Sequence, residues 1–192
     1  MRVVSGTARS IPLKSRDGLD TRPTADRVKE AIFNILQFDV PGAEVLDLFG
    51  GSGQLAIEAL SRGAGHAVIV DRSPEAICVI RENLERTKLS DRAEVIRADY
   101  LEFLRRCRRR FNIILLDPPY REFFLENALK EISEIDILKT GGIIVCEKPF
   151  DKGLDPAYGG IRHAKDYRYG KTMISVYRAA GPFDGQLQEE TT

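Results

Sequence analysis

No stretch of the 192 residues approaches the roughly 20 consecutive apolar positions that a membrane-spanning helix needs. The start, MRVVSGTARS, lacks the apolar core of a signal peptide, so the expected compartment is the cytoplasm. Cysteine is scarce. Cys78, Cys107 and Cys146 are far apart and odd in number, form no C-x-x-C pair and have no histidine nearby. That excludes a disulfide framework and argues against a metal site, leaving reduced, buried or half-buried thiols as the expectation. The chain has no internal repeat and no low-complexity linker, and its length fits one domain over residues 1–180, expected to be a monomer.

Charge of neither sign dominates, with 29 basic and 29 acidic residues. The balance is uneven along the chain. The last twelve residues, GPFDGQLQEETT, hold three acids and no base, and their composition predicts a disordered tail over 181–192. The run RRCRRR puts Arg105, Arg106, Arg108, Arg109 and Arg110 within six positions. It reads equally well as a footprint for a phosphate backbone and as a solvated helix end.

From residue 44 onward, strands and helices alternate. EVLDLF (44–49), HAVIVD (66–71), AEVIRAD (93–99), FNIILLD (111–117) and GIIVCEK (142–148) read as strands. Between them, QLAIEALSRG, SPEAICVIRENLERTKL, YLEFLRRC and FFLENALKEISEIDIL have helical spacing. Ser73 and Pro74 read as N-cap and first helical residue, and Gly63 as a helix stop. Continuous apolar strands alternating with helices predict an α/β fold with a mostly parallel sheet covered on both faces. KTMISVYRA (171–179) suits a closing antiparallel hairpin strand. About the first 40 residues differ: MRVVSGTARSIPLKS reads as a small basic hairpin. TRPTADRVKEAIFNIL reads as a helix capped by Thr24, with Val28, Ala31, Ile32 and Ile35 on one face.

Ligands of open parallel sheets bind beyond the carboxyl ends of the strands. There, Asp47 precedes the loop Phe49-Gly50-Gly51-Ser52-Gly53, and Asp71, Asp99 and Asp117 each close a further strand. The glycine loop alone also fits a dinucleotide site in its loose form, with an acid about 20 residues on. An acid upstream of the loop is unhelpful to a pyrophosphate and suits a ligand with an ammonium group. S-adenosylmethionine is such a ligand. Asp47 would hold its amine, Asp71 its ribose hydroxyls and Asp99 its adenine amine. A single strand-end Asp is ordinarily a turn or helix cap; several after one glycine loop are harder to explain that way.

The sequence Asp117-Pro118-Pro119-Tyr120 abruptly ends the most apolar strand. An amine conjugated to a purine is a poor nucleophile and must be oriented by acceptors. Asp117 offers a carboxylate, Pro118 a carbonyl, Pro119 a second rigid ring and Tyr120 a stacking face. The base must first be drawn out of its stack.

DLFGGSG, DPPY and the N-terminal MRVVSG with RPT-x-x-x-V-K-E-A-I-F-N-I-L together resemble the RsmD family of 16S rRNA guanine-N(2) methyltransferases, over about residues 1–178. The resemblance implies a class I S-adenosylmethionine-dependent, Rossmann-like fold with seven strands and a reversed last hairpin. It implies methyl transfer to a guanine amine in 16S rRNA or the assembling small ribosomal subunit. Carried onto this chain, Asp47 and Phe49 to Gly53 form the cofactor loop, Asp71 with Arg72 and Asp99 with Tyr100 complete the cofactor site, and Asp117 to Tyr120 are catalytic. Arg22, Pro23 and Thr24 would lie near the cofactor or target base. One departure from the family pattern F-A-G-S-G is read at Gly51, in place of its alanine.

The same chemistry serves adenine-amine methyltransferases of DNA and RNA, although no large target-recognition insertion is visible. A non-catalytic RNA-binding scaffold would have no need of DPPY, and a nicotinamide-dependent reductase would leave it unexplained. His66 opens a strand and reads as structural. His163, between Arg162 and Lys165, reads as part of a basic loop that either touches RNA or is solvated.

Overall fold

The computed structural model describes residues 1–15, 23–119 and 123–180. Eight strands form one sheet: β1 (Glu44–Asp47), β2 (His66–Asp71), β3 (Ala93–Arg97), β4 (Phe111–Leu116), β5 (Leu138–Pro149), β6 (Ala157–Tyr158), β7 (Ile161–Tyr169) and β8 (Thr172–Ala179). Their order is β3-β2-β1-β4-β5-β8-β7-β6. The first five are mutually parallel, and the last three pair antiparallel. The eighth strand is the two-residue β6, which extends the expected closing hairpin at the sheet edge.

Among the described residues, five α-helices cover the sheet: α1 (Pro23–Ile35), α2 (Gln54–Ser61), α3 (Pro74–Thr87), α4 (Tyr100–Arg106) and α5 (Phe124–Ile135). Successive strand residues feed opposite faces. Val45, Ile69, Ile113 and Val145 join one core with side chains of α1, α2 and α3. Leu46, Val70, Ile114 and Cys146 join a second core with α4 and α5. Both faces are therefore dry, which is why the strand interiors are apolar without alternation. Ser73 caps α3 by accepting from Ala76 N, with Pro74 next, as its sequence predicts. Among the described residues, no helix is long and apolar enough to cross a membrane.

Several expectations are corrected. Thr24 does not precede α1, because the helix already begins at Pro23. The strand expected over 142–148 is longer, and Gly141 and Gly142 lie inside it. The strand starts at Leu138 and accommodates them at a register shift against β4. His163 is not in a loop but in β7, its ring 5.3 Å from Tyr177 and its Nε2 2.9 Å from Asp166 Oδ1. Cys107 and Cys146 are buried, but Cys78 is exposed, on the outer face of α3. The expected tail, 181–192, lies outside the described residues.

The first 15 residues form a short hairpin strap: Arg2 and Pro12 are bridged antiparallel, with Val3 N donating to Ile11 O and Leu13 N to Met1 O at 3.0 Å each. The strap is fastened to α2. Glu58, fully buried, accepts from Val4 N at 2.7 Å and Ser5 N at 3.0 Å. It also pairs with Arg62 at 2.7 Å and buried Lys29 at 3.8 Å. Gly6 passes so close that a Cβ there would lie 1.8 Å from Ser61 O, which only glycine tolerates.

Candidate active site

The carboxyl ends of β1, β2 and β4 surround a cavity of about 560 Å³. Asp47, the last residue of β1, is 1% exposed. Its Oδ2 accepts from Ala56 N, in the first turn of α2, at 3.3 Å. Its Oδ1 is buried with no hydrogen-bond partner among the described residues. Desolvation raises the Asp47 pKa to about 7, and the nearby Asp117 carboxylate pushes it the same way. Asp117 follows β4 directly and is half-buried, its carboxyl facing the cavity. Burial raises its pKa to about 6.

The glycine loop turns tightly at the end of β1. Gly50 N donates to Val70 O at 2.8 Å, which ties the loop to β2. A Cβ at Gly50 would lie 2.6 Å from Ile69 Cγ2 and 3.0 Å from Ile80 Cδ1. Letter for letter, the alanine of F-A-G-S-G falls at Gly50 and not, as expected, at Gly51. In this chain the bulk of Ile69 and Ile80 takes up the space that a methyl group would need.

Asp71 organises the loop as well as facing the cavity. Its two oxygens accept from Gly51 N and Ser73 N, each at 2.8 Å. Each oxygen retains a further lone pair for a hydroxyl donor. Asp99 is the N-cap of α4, its Oδ1 accepting from Leu101 N at 3.0 Å. So both acids fill the turn-capping role expected of a strand-end Asp, and both still line the cavity. Phe49, Gly50, Gly51, Ser52, Arg72, Tyr100 and Pro119 also line it. Gly53 is buried behind the loop at the N-terminus of α2. Pro118 is buried and faces away, toward a second cleft.

Sequence reasoning missed Phe124 and Gln54. Phe124 packs on Phe49 and Tyr100, with centroids 6.1 and 5.5 Å away, making an aromatic wall. Gln54 lines the cavity with a buried Oε1 that has no partner among the described residues. The doubled Phe123-Phe124 just after DPPY was the one available signal for the former; nothing marked the latter.

The remaining expected site residues divide into those outside or at the edge of the described residues and the arginine run. Tyr120 and Arg22 lie outside the described residues, and Pro23 and Thr24 open α1. The arginine run sits where α4 hands over to β4, at the amino-terminal rim, opposite the cavity. There Arg105, Arg106 and Arg109 pair with Glu131, Glu102 and Glu94 at 3.9, 3.2 and 2.6 Å, and Arg110 pairs with Asp136. Arg108 donates to the Arg105 and Cys107 carbonyls.

Comparison with known proteins agrees with this architecture. The family described as "Conserved hypothetical protein 95" matches residues 1–178. The "Putative rRNA methyltransferase YlbH" of Bacillus subtilis is 40% identical, over 94% of this chain and 100% of its own. The "Ribosomal RNA small subunit methyltransferase D" of Haemophilus influenzae is 36% identical, over 80% of this chain and 81% of its own. The solved structure "Putative methyltransferase yhhF from Escherichia coli" superposes with a TM-score of 0.85 at 27% identity, covering 94% of this chain and 98% of that one. The fold is that of class I methyltransferases, and the chain belongs to the RsmD family.

Proposed function

We propose that the chain transfers a methyl group from S-adenosylmethionine to the exocyclic N2 amine of a guanine in small-subunit (16S) rRNA. The observation that carries this reading is the convergence of Asp47, Asp71, Asp99 and Asp117 on one cavity at the strand ends, with Pro118 and Pro119 immediately following. The names of its relatives support ribosomal RNA as the substrate class.

The cavity fits the cofactor on its own terms. A buried carboxylate with an unpartnered Oδ1 and a pKa raised to about 7 is costly unless a cation arrives. An ammonium group beside Asp47 would satisfy that oxygen and hold the acid ionised. Asp71 keeps lone pairs for ribose hydroxyls, and the wall of Phe49, Tyr100 and Phe124 offers apolar surface for a purine. When bound, S-adenosylmethionine supplies an electrophilic methyl group on a sulfonium.

The chain's own contribution is orientation. The Asp117 carboxylate accepts an N–H of the guanine amine, and the Pro118 carbonyl a second. Holding both N–H bonds turns the nitrogen lone pair toward the methyl group, and alignment of the reactants supplies much of the rate. Tyr120 gives the base a stacking face. The amine loses a proton once the methyl is attached. Asp117, with its pKa raised to about 6, is a suitable acceptor near neutral pH. The reaction belongs to the cytoplasm, where small subunits assemble.

The test is methyl transfer from labelled S-adenosylmethionine to small subunits from cells lacking the gene, with the modified nucleoside identified by mass spectrometry. N2-methylguanosine is the expected product. Methyladenosine, or label only in DNA, would overturn the substrate. No transfer to any of these would overturn the enzymatic reading.

A further inference from the structure

The carboxyl rim continues past Pro119, away from the first cavity, over β5, β8 and β7. A narrow cleft lined by Pro118, Pro119, Lys148, Lys152 and Leu154 runs along it. Lys148, Lys152 and Leu154 also line a second cavity, of about 290 Å³. The DPP segment therefore stands between two hollows on one rim, and the function proposed above uses only the first.

The floor of the second cavity is sheet. Lys148, 4% exposed, comes from the end of β5 and donates to the Lys152 carbonyl. Ser175 of β8 is 1% exposed, with its hydroxyl beside the Asp166 carboxylate. His163 and Asp166 of β7 are joined at 2.9 Å. At the lip, Phe150 is 43% exposed, with the Arg168 guanidinium 4.3 Å from its ring centroid.

Charge around this cavity is balanced, with Lys148 and Lys152 against Asp151 and Asp166. That argues against a simple phosphate hole, which would present cations alone. A flat ring at the lip, with donors and acceptors of both kinds below, matches the face and edge of a nucleobase. The Ser175 hydroxyl, beside the Asp166 carboxylate, keeps an acceptor lone pair that the donor on a base edge would use.

We infer that the second cavity receives a nucleobase of the RNA strand that carries the acceptor guanine, next to that guanine or one removed from it. This rests on the methyltransferase reading of the first cavity. A strand whose acceptor has left its stack presents its neighbours too. Phe150 stacks on the captured base, and Ser175 with the His163–Asp166 pair reads its edge. Fixing that base sets the strand direction and brings the acceptor amine to Asp117. These are specificity residues and touch neither the cofactor nor the reacting atoms.

The test is ultraviolet crosslinking of the full chain to small subunits from cells lacking its gene, with nucleotide-bearing peptides identified by mass spectrometry. The expected adduct lies on the peptide containing Phe150, at a nucleotide beside the methylated guanine. In parallel, Phe150→Ala and Asp166→Asn are expected to raise KM for subunits about tenfold. Their kcat at saturation and their cofactor affinity should stay close to the unaltered protein's, the latter also showing that they fold. Adducts confined to other surfaces, or an unchanged KM in both variants, would overturn the inference. Crosslinking needs no turnover, so it separates the two readings. A Phe150 adduct without methylation keeps the cavity as an RNA site and rejects only the transfer.

Discussion

Asp47 and Asp117 end adjacent parallel strands on the same rim, and the Asp117 carboxylate helps push the Asp47 pKa up to about 7. Two neighbouring acids, one fully and one partly buried, resist ionising together, and a cationic ligand removes that conflict.

The pH dependence follows from this pair. Folded, Asp47 and Asp117 titrate near about 7 and 6, well above an ordinary carboxylate. Between roughly pH 4 and 7 the folded chain holds protons that the unfolded chain has released. The ligand-free protein is therefore expected to lose stability as pH rises through this window, by an amount on the order of a few kcal/mol. Cofactor affinity should move the other way. A ligand ammonium requires ionised Asp47, so affinity rises with pH and levels off above about 7. Calorimetry between pH 5.5 and 8 checks both, and Asp47→Asn should flatten the affinity profile. An affinity independent of pH in the unaltered chain would remove Asp47 from the amine site.

Asp117→Ala separates orientation from cofactor binding. Methyl transfer should fall by roughly 100-fold or more, because in the proposed mechanism the amine loses its charged acceptor. Cofactor affinity should not weaken. Below pH 7 it should strengthen, because the repulsion that raises the Asp47 pKa is gone. Single-turnover rates with isothermal titration at pH 6 measure the two effects. A variant that loses cofactor binding as severely as rate would place Asp117 in the cofactor site instead.

The parallel half of the fold was legible because each of its strands is buried on both faces and must stop at a polar residue. That one constraint exposes β1, β2, β4 and their terminal acids together. β7, IRHAKDYRY, was not legible. It lies near the sheet edge with several exposed residues, so it has neither an apolar run nor clean alternation. The second cavity, floored partly by β7, was hidden for the same reason. The buried Lys29–Glu58 pair was not legible, since such a pair inside amphipathic helices leaves no trace in spacing. The arginine run was ambiguous because its acids, Glu94, Glu131 and Asp136, come from β3, from α5 and from the residue just after α5.

Asn83, on α3, links the N-terminal strap to the glycine loop. Fully buried, it accepts from Lys14 N at 2.8 Å and donates to Lys14 O and Ser52 O at 3.0 and 2.9 Å. Asn83→Ala leaves those groups without partners, which costs about 1–3 kcal/mol and several degrees of Tm. Because Ser52 belongs to the glycine loop proposed to hold the cofactor, affinity for S-adenosylmethionine should also fall, by about tenfold. Ile132→Val, in the opposite core, serves as the control: it should lower Tm with affinity unchanged. If both variants lower affinity in proportion to Tm, Asn83 is only structural.

Replacing Arg105, Arg106, Arg108, Arg109 and Arg110 together with Gln tests the amino-terminal rim. Each exposed ion pair there is worth about 0–1 kcal/mol, so Tm should shift little. The run lies across the sheet from Asp117, and four of its five charges already face acids. Binding to small subunits should therefore keep its salt dependence, since phosphate contacts elsewhere set the slope. Affinity measured from low to moderate salt gives that slope directly. A shallower slope in the variant would mean that phosphates displace Glu94, Glu102, Glu131 and Asp136, and that the RNA wraps from the acceptor rim around to this one.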